Sequence, residues 1–310
     1  MRPCHHGPLS LSSTVTAMGP RHMPIEEGQF ISLWMESLLF GINTILFIIC
    51  LHILLVSPER SRRKVILATA TAMYTLCAAH VVVSFIRGIT AFFGSKQGAL
   101  AYYGQAWVWS NVTKQALHTT NIIIADSLLI YRLYIIWERA YWIVVLPILL
   151  LIGSSASSYT ATYILACMPP GQSAFDTSVP DFCMMGYAFS FATNIIVTSL
   201  IAGRIWWNAR QVSNLLGISH GPLRFYIRAI TLIVESGAIF SASVLILVVC
   251  YSLNLDAQTV FISDSIAQIT GIAPTLIIVR AGMGYSVNSD QTNECFTSIR
   301  FVRNGTTDTL

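Results

Sequence analysis

A single carboxylate lies in the middle of a long apolar stretch, residues 121–137, NIIIADSLLIYRLYIIW. Such a stretch predicts a membrane-spanning helix. At the helical rise, Asp126 lies roughly 15 Å from Trp137, near the middle of a bilayer. A carboxylate at that depth costs at least about 2.5 kcal/mol unless it is paired or hydrated, so acids of this kind usually face the protein interior and mark function. Asp126 is therefore the first candidate for ligand or proton binding. The alternative is a hydrogen bond that only joins two helices.

The composition predicts an integral membrane protein. The chain has 310 residues, of which 54% are hydrophobic and 10% are charged, whereas soluble domains carry about 25% charged residues. Seven apolar segments are each long enough to cross a hydrocarbon core of roughly 30 Å. The predicted spans are residues 36–56, 65–86, 117–137, 143–166, 185–205, 229–251 and 260–279. Because these runs are continuous rather than alternating, we expect an all-α fold of seven transmembrane helices and no β-barrel.

The distribution of basic residues predicts the orientation. Most lysines and arginines fall in the loops that follow the first, third and fifth spans and in the C-terminal tail. The basic side of a membrane protein is usually cytoplasmic, so we expect an external N-terminus and a cytoplasmic C-terminus in the plasma membrane. Residues 1–30 are predicted to be a flexible extracellular tail, 31–284 the helical domain and 285–310 a disordered cytoplasmic tail. Arg87, Lys96 and Lys114, together with Arg2 and Arg21 of the N-terminal tail, are assigned to the outer side. No nucleic-acid partner is predicted.

Several polar residues fall in the predicted outer half of the bundle. Those we expect to bind a ligand are His80, His118, Asp126, Asp264 and Gln268. Asn194 and Glu235 are further intramembrane polar residues at greater depth. Gln115, Ile122 and Asp126 share one face of the third span, which predicts a polar stripe from outside down to Asp126. Scattered interhelical hydrogen bonds, each worth about 0.6 kcal/mol, are the simpler interpretation of these residues.

A cytoplasmic coupling surface is predicted at the opposite end of the bundle. It would consist of Tyr131, Arg132, Arg204, Arg210, Arg224 and Arg228. Gly271 and Pro274 in the seventh span form a candidate hinge, because proline interrupts the backbone hydrogen bonds of a helix.

Two cysteines flank the loop between the fourth and fifth spans, on the predicted outer side. Cys167 and Cys183 could therefore close this loop with a disulfide in an oxidising environment. Two unrelated free thiols are the alternative.

Familiar catalytic and cofactor motifs do not occur in this sequence. The seventh span has no lysine to form a retinal Schiff base, and the last three spans have no histidine for a zinc hydrolase of the seven-helix type. Walker and CxxC motifs are also missing, and the GxSxG match at residues 217–221, GISHG, lies between two predicted spans and not at the strand-to-helix turn of a nucleophile elbow. We therefore predict no enzymatic activity, no metal and no cofactor.

Four stretches carry a family resemblance: ESLLFG from Glu36, ADSLLIYRLYIIW from Ala125, TNIIVTSLIAGRIWW from Thr193 and IAPTLIIVRAGMG from Ile272. On these motifs the chain resembles a large group of uncharacterised seven-span proteins of mushroom-forming fungi, loosely likened to G-protein-coupled receptors. The resemblance covers about residues 30–284 and implies a seven-helix fold, with no established activity to carry over.

The sequence interpretation is a receptor-like sensor embedded in the lipid bilayer. An unknown small extracellular ligand would bind in the outer half and alter the cytoplasmic face, where a heterotrimeric G protein or another effector would dock. The rival interpretation is a transporter or channel that uses Asp126 and Glu235 as a proton or cation relay. The third interpretation is a membrane protein that binds no ligand.

Overall fold

The computed structural model describes residues 24–56, 60–96, 98–169, 172, 177–216, 221–253 and 262–279. All regular structure in these ranges is helical. The helices are α1 (Ile25–Val56), α2 (Arg60–Ile89), α3 (Ala99–Tyr103), α4 (Trp109–Ile136), α5 (Tyr141–Ala166), α6 (Val179–Leu216), α7 (Gly221–Ser252) and α8 (Ile262–Val279), with a π-helical turn over Thr90–Gly94. The predicted tails at 1–23 and 285–310, and the predicted start of the seventh span at Val260, lie outside the described residues.

Seven helices within the described residues are long and apolar enough to cross a membrane, the architecture of a multi-pass membrane protein. This confirms the predicted number and class of the spans, but the helices extend beyond the predicted bounds. α1 begins at Ile25, so residues 25–30 are helical and do not belong to a tail. α4 begins at Trp109 rather than at residue 117. Its first turns were not predicted because Ser110 and Lys114 lower the hydropathy, yet both side chains are buried between helices.

The bundle has two ends, which we name after the residues that bound α4. At the Trp109 end α1, α4, α6 and α8 begin and α2, α5 and α7 end; the Trp137 end is the opposite one. The short helix α3 covers the Trp109 end. There Ala106 packs with Leu165, Met168 and Val179, which joins the α3–α4 connection to α5 and α6.

The contact between α5 and α6 is made by small residues. A Cβ atom added to Gly186 would clash with Ser158 Oγ, so a larger residue here requires the Ser158 side chain to move. Ser154 Oγ donates a hydrogen bond to the Gly186 carbonyl over 3.1 Å. Small side chains allow helix backbones to approach closely, which is the usual way that membrane helices associate.

α8 is a continuous helix through Gly271 and Pro274. A Cβ atom at Gly271 would lie 2.7 Å from Cys77 Sγ and 3.3 Å from Asn43 Nδ2. The close packing of α8 against α1 and α2 therefore explains the glycine, while the hinge, or the fixed kink that was its alternative, stays a prediction.

The turn between α4 and α5 has an unusual backbone. Glu138 and Arg139 adopt φ angles of 53° and 68°, in the left-handed region that favours glycine. The turn is held against α6, where Trp137 Nε1 donates to the Leu200 carbonyl over 3.3 Å. Arg204 Nη2 also donates to Glu138 Oε1 over 3.1 Å.

Candidate functional site

A cavity of about 230 Å³ opens among the helices at the Trp109 end. We call it the large cavity. Of the five residues predicted to bind a ligand, His80, His118 and Asp264 line it, whereas Asp126 and Gln268 do not. The sequence had not assigned further polar residues to this site; these are Arg87, Tyr103, Asn111, Lys114, Tyr187 and Ser263.

A buried ion pair forms one wall of the large cavity. Lys114 Nζ on α4 lies 2.9 Å from Asp264 Oδ2 on α8, and the two side chains are only 9% and 13% exposed. Ser32 Oγ on α1 donates to the same carboxylate oxygen over 2.6 Å. Because the pair and its hydroxyl donor come from three helices, the wall links α1, α4 and α8.

A second cation, Arg87, lies where α2 ends. Its side chain is buried, and Nη1 donates to Asn111 Oδ1. The guanidinium lies over the Tyr103 ring, 5.4 Å from its centroid, whereas its Nε has no protein acceptor. Burial raises the pKa of Tyr103, and the Arg87 charge acts in the opposite direction. The sequence counted Arg87 and Lys114 only as basic residues of the outer side, whereas their long side chains turn into the bundle.

His118, Tyr187 and Ser263 form a hydrogen-bonded chain across the large cavity. His118 Nε2 lies 2.8 Å from the Tyr187 hydroxyl, which lies 3.2 Å from Ser263 Oγ. His118 Nδ1 has no protein partner, although the side chain is buried. The chain therefore leaves one imidazole nitrogen for a further hydrogen bond, as donor or acceptor according to the tautomer.

Behind the cavity lies a buried polar cluster that centres on Glu36. His80 Nδ1 lies 2.5 Å from Glu36 Oε1, and Gln268 Nε2 donates to the same oxygen over 3.4 Å. Gln268 Nε2 also lies 3.3 Å from the Cys77 carbonyl, so this residue joins helices instead of facing a ligand. The sequence interpretation missed Glu36, because it treated this residue only as the start of the first span.

Asp126 lies in a different and much smaller cavity of about 30 Å³, which we call the small cavity. It shares this space with Asn194, Thr198 and Gly237, and its Oδ2 has no protein partner. Asn194 Nδ2 donates to the Gly237 carbonyl over 3.4 Å, and Thr198 Oγ1 donates to Asn194 Oδ1 over 3.0 Å. The volume corresponds to about one water molecule.

A layer of packed apolar residues separates the two cavities. We call it the apolar layer; its members are Ile122, Tyr187, Phe240, Val244, Leu247 and Ile266. Tyr187 and Leu247 also line the large cavity, whereas Phe240 also lines the small one. The predicted polar stripe is therefore interrupted at Ile122. Glu235 lies on the exposed side of α7 and does not line the small cavity, although its neighbour Ser236 does.

The predicted coupling residues whose side chains the structure describes contact different partners. Arg132 Nη2 reaches the Pro274 carbonyl of α8 over 3.5 Å, and Tyr131 is half-buried. Arg204 pairs with Glu138, whereas Arg210 lies 5.3 Å from the ring centroid of Trp206 on its own helix. The side chains of Arg224 and Arg228 lie outside the described part of the chain.

The predicted disulfide is not formed, and both cysteines carry free thiols. Cys183 faces the bundle, where its Sγ accepts a hydrogen bond from Gln115 Nε2 over 3.6 Å. Cys167 lies exposed at the end of α5. The prediction was wrong because the loop position of a cysteine does not tell which way its side chain points.

Lys114, His118 and Asn121 are spaced four and three residues apart, which places them on one face of α4. Asn121 Nδ2 donates to the Ala267 carbonyl of α8 over 3.1 Å. This spacing is the signal that could have identified Lys114 as an inward residue. Among the described residues, no group of His, Cys, Asp and Glu could hold a metal ion.

Comparison of the chain with protein-family models, with curated proteins and with solved structures finds no match.

Proposed function

We propose that this protein is a receptor-like sensor of the plasma membrane that binds a small extracellular ligand in the large cavity. The observation that carries the proposal is a cavity at the Trp109 end into which several polar side chains converge, with the apolar layer between it and the small cavity. Such a cavity suits binding better than passage. The proposal includes no catalytic step.

The proposed orientation directs the Trp109 end outward. Lys64, Arg139, Arg204 and Arg210 lie toward the Trp137 end, whereas Arg87 and Lys114 at the opposite end are buried among the helices. Charges held inside a bundle do not decide insertion in the way that loop charges do, so the basic loops favour a cytoplasmic Trp137 end.

The proposed signal passes along α4 and α8. The two helices are linked by Lys114 and Asp264, by Asn121 and the Ala267 carbonyl, and by Arg132 and the Pro274 carbonyl. A ligand that competes for Lys114 binds two arrangements of these helices with different affinity, which is the requirement for shifting their populations. The Trp137 end would present the altered surface to a heterotrimeric G protein or another effector.

A proton or cation relay from Asp126 to Glu235 has less support. Asp126 faces the small cavity, whereas Glu235 lies on the exposed side of α7. The apolar layer also separates Asp126 from the polar residues of the large cavity, and a bare ion in such a layer carries a large desolvation cost.

The test compares signalling with transport. Cells that express the protein are exposed to a panel of small metabolites while second-messenger levels are recorded, and the flux of each active compound is measured in vesicles that contain only this protein. We expect a response without flux. Asp264→Asn should abolish the response per molecule at the cell surface, with surface abundance measured on the same cells, whereas the exposed Glu27→Gln, at the same end, should keep it. Flux of the active compound in pure vesicles would instead identify a transporter.

A further inference from the structure

The side chains that line the large cavity include more basic groups than carboxylates. Among the described lining residues, Arg87 and Lys114 are basic and Asp264 is the single carboxylate, while the Glu36 carboxylate lies behind the cavity on His80. Lys114 already pairs with Asp264. The Arg87 guanidinium has a neutral amide oxygen as its hydrogen-bond acceptor, that of Asn111. A buried guanidinium without a carboxylate partner favours an anion in the space beside it.

Arg87 is held in place before any ligand arrives. Asn111 fixes one end of the guanidinium, and Asn111 is itself fixed because its Nδ2 donates to the Ala106 carbonyl over 2.9 Å. The Tyr103 ring covers one face of the guanidinium. The edge that carries Nε has no protein acceptor, and Lys114 Nζ has further donors besides the one directed at Asp264. A planar guanidinium held in this way binds a carboxylate through two parallel hydrogen bonds.

The apolar walls of the cavity determine which kind of group the ligand can have beside its anionic group. Leu165, Val179 and Leu247 also line the cavity, and Met184 adds a flexible apolar surface. The volume of about 230 Å³ is below the roughly 300–1,000 Å³ of sites for drug-sized molecules. These walls suit a short hydrocarbon or aromatic body.

We infer that the large cavity binds a small organic carboxylate, with its carboxylate on Arg87 and Lys114 and its apolar body against Leu165, Val179 and Leu247. This inference rests on the proposed ligand-binding role of the cavity and names the chemical class of the ligand. His118 Nδ1 supplies a further hydrogen bond to a polar substituent of the ligand.

The test uses three molecules with one skeleton and different charge: benzoate, benzamide and benzylamine. Binding to the full-length protein in lipid nanodiscs is measured by thermal shift and by titration at millimolar concentration, with hexanoate as a second carboxylate and inorganic phosphate as an anion without a body. We expect both carboxylates to bind and raise the unfolding temperature, and the amide, the amine and phosphate to have no effect. Arg87→Gln should weaken carboxylate binding about thirtyfold or more, because a buried charged partner is lost.

The matched control is Lys96→Gln, which removes a positive charge from an exposed position near the same end and should leave the affinity unchanged. Arg87→Lys keeps the charge but not the planar fork, and should recover only part of the affinity. If Arg87→Gln fails to fold, Arg87→Lys and Asn111→Ala, which removes the acceptor that orients Arg87, provide the same comparison. Binding of benzylamine in preference to benzoate, binding of phosphate alone, or no carboxylate binding would overturn the inference.

The same measurements separate this inference from the proposed function. Carboxylate binding that depends on Arg87 but never produces a cellular response would remove the receptor role and keep the ligand class. A cellular response to a cationic or neutral compound that requires Asp264 but not Arg87 would keep the receptor role and remove the carboxylate as the ligand class.

Discussion

The ammonium of Lys114 lies 2.9 Å from the carboxylate of Asp264, and this pair joins the start of α8 to a point one turn inside α4. The same two helices meet again at Arg132 and the Pro274 carbonyl. Along α4 the two basic residues are about 27 Å apart, whereas Asp264 and Pro274 are about 15 Å apart along α8. Both long side chains therefore lean toward the middle of the bundle, and their apolar stems pack between helices while the charged heads meet partners on α8.

The Lys114–Asp264 pair should stabilise the fold mainly because each partner neutralises the other. Lys114→Met leaves a buried carboxylate without its cation, and we expect a loss of about 3 kcal/mol in the free energy of unfolding. The double variant Lys114→Met with Asp264→Leu removes both charges and should recover most of that loss. Reversible unfolding in detergent, analysed as a double-mutant cycle, measures the coupling. Additive losses would show that the two side chains do not interact.

Asp126 should be independent of the large cavity, because the apolar layer lies between them. We expect Asp126→Asn to keep the affinity for benzoate within about twofold, since changes at separated sites are close to additive. Asp126→Ala should lower stability by about 1–3 kcal/mol, because it removes buried side-chain atoms beside the small cavity and enlarges that cavity. Titration and thermal unfolding on the same samples give both values. A tenfold change in benzoate affinity for Asp126→Asn would mean that the cavities communicate directly.

Gly186 and Ser158 form a size-matched pair between α5 and α6. Gly186→Ala places a methyl group where Ser158 Oγ lies, and we expect about 1–3 kcal/mol of destabilisation from overpacking. Adding Ser158→Ala removes the clashing oxygen and should restore most of the stability. The matched control is Gly203→Ala, also on α6, where no atom lies within 4 Å of the added Cβ. Equal losses for Gly186→Ala and Gly203→Ala would argue against close packing at Gly186.

Replacement of Arg139 by glycine should stabilise the folded protein. Its φ angle of 68° costs an L-residue roughly 1 kcal/mol, so Arg139→Gly should raise the free energy of unfolding by about this amount. Arg139→Ala removes the same charge but keeps the Cβ atom, and should give no gain. The comparison of these two variants by thermal unfolding separates the backbone effect from the charge effect.

Glycosylation tests the proposed orientation. The Asn111-Val-Thr113 motif should stay unmodified even on the outer side, because Asn111 Nδ2 donates to Ala106 and its side chain is half-buried. Ser12→Asn creates an Asn-Ser-Thr motif in the N-terminal segment, and we expect it to be glycosylated in eukaryotic cells. Asn304-Gly-Thr306 should carry no glycan. A glycosidase-sensitive mass shift reports each site, and a glycan at Asn304 would reverse the orientation.

The seven spans could be predicted because about 20 consecutive apolar residues are required to cross a bilayer, and that signal is local. The ends of the helices could not be predicted in this way. Polar residues such as Lys114 continue α4 inside the protein, where hydropathy alone indicates a loop. In the candidate site, His80, His118 and Asp264 were predicted from their depth. Depth does not tell which neighbouring helix a side chain faces. The prediction from depth therefore grouped Asp126 with these three residues and left out Arg87.

The apolar layer also has an electrical consequence. In a polarised membrane the voltage falls mostly across material without water or mobile charge, and a full unit charge moved through 100 mV changes energy by about 2.3 kcal/mol. An anion that enters the large cavity from the Trp109 end stops before this layer and crosses only a small part of the field. Its affinity should therefore be nearly the same in resting and depolarised cells, so the protein would report the chemistry outside the cell independently of the membrane potential.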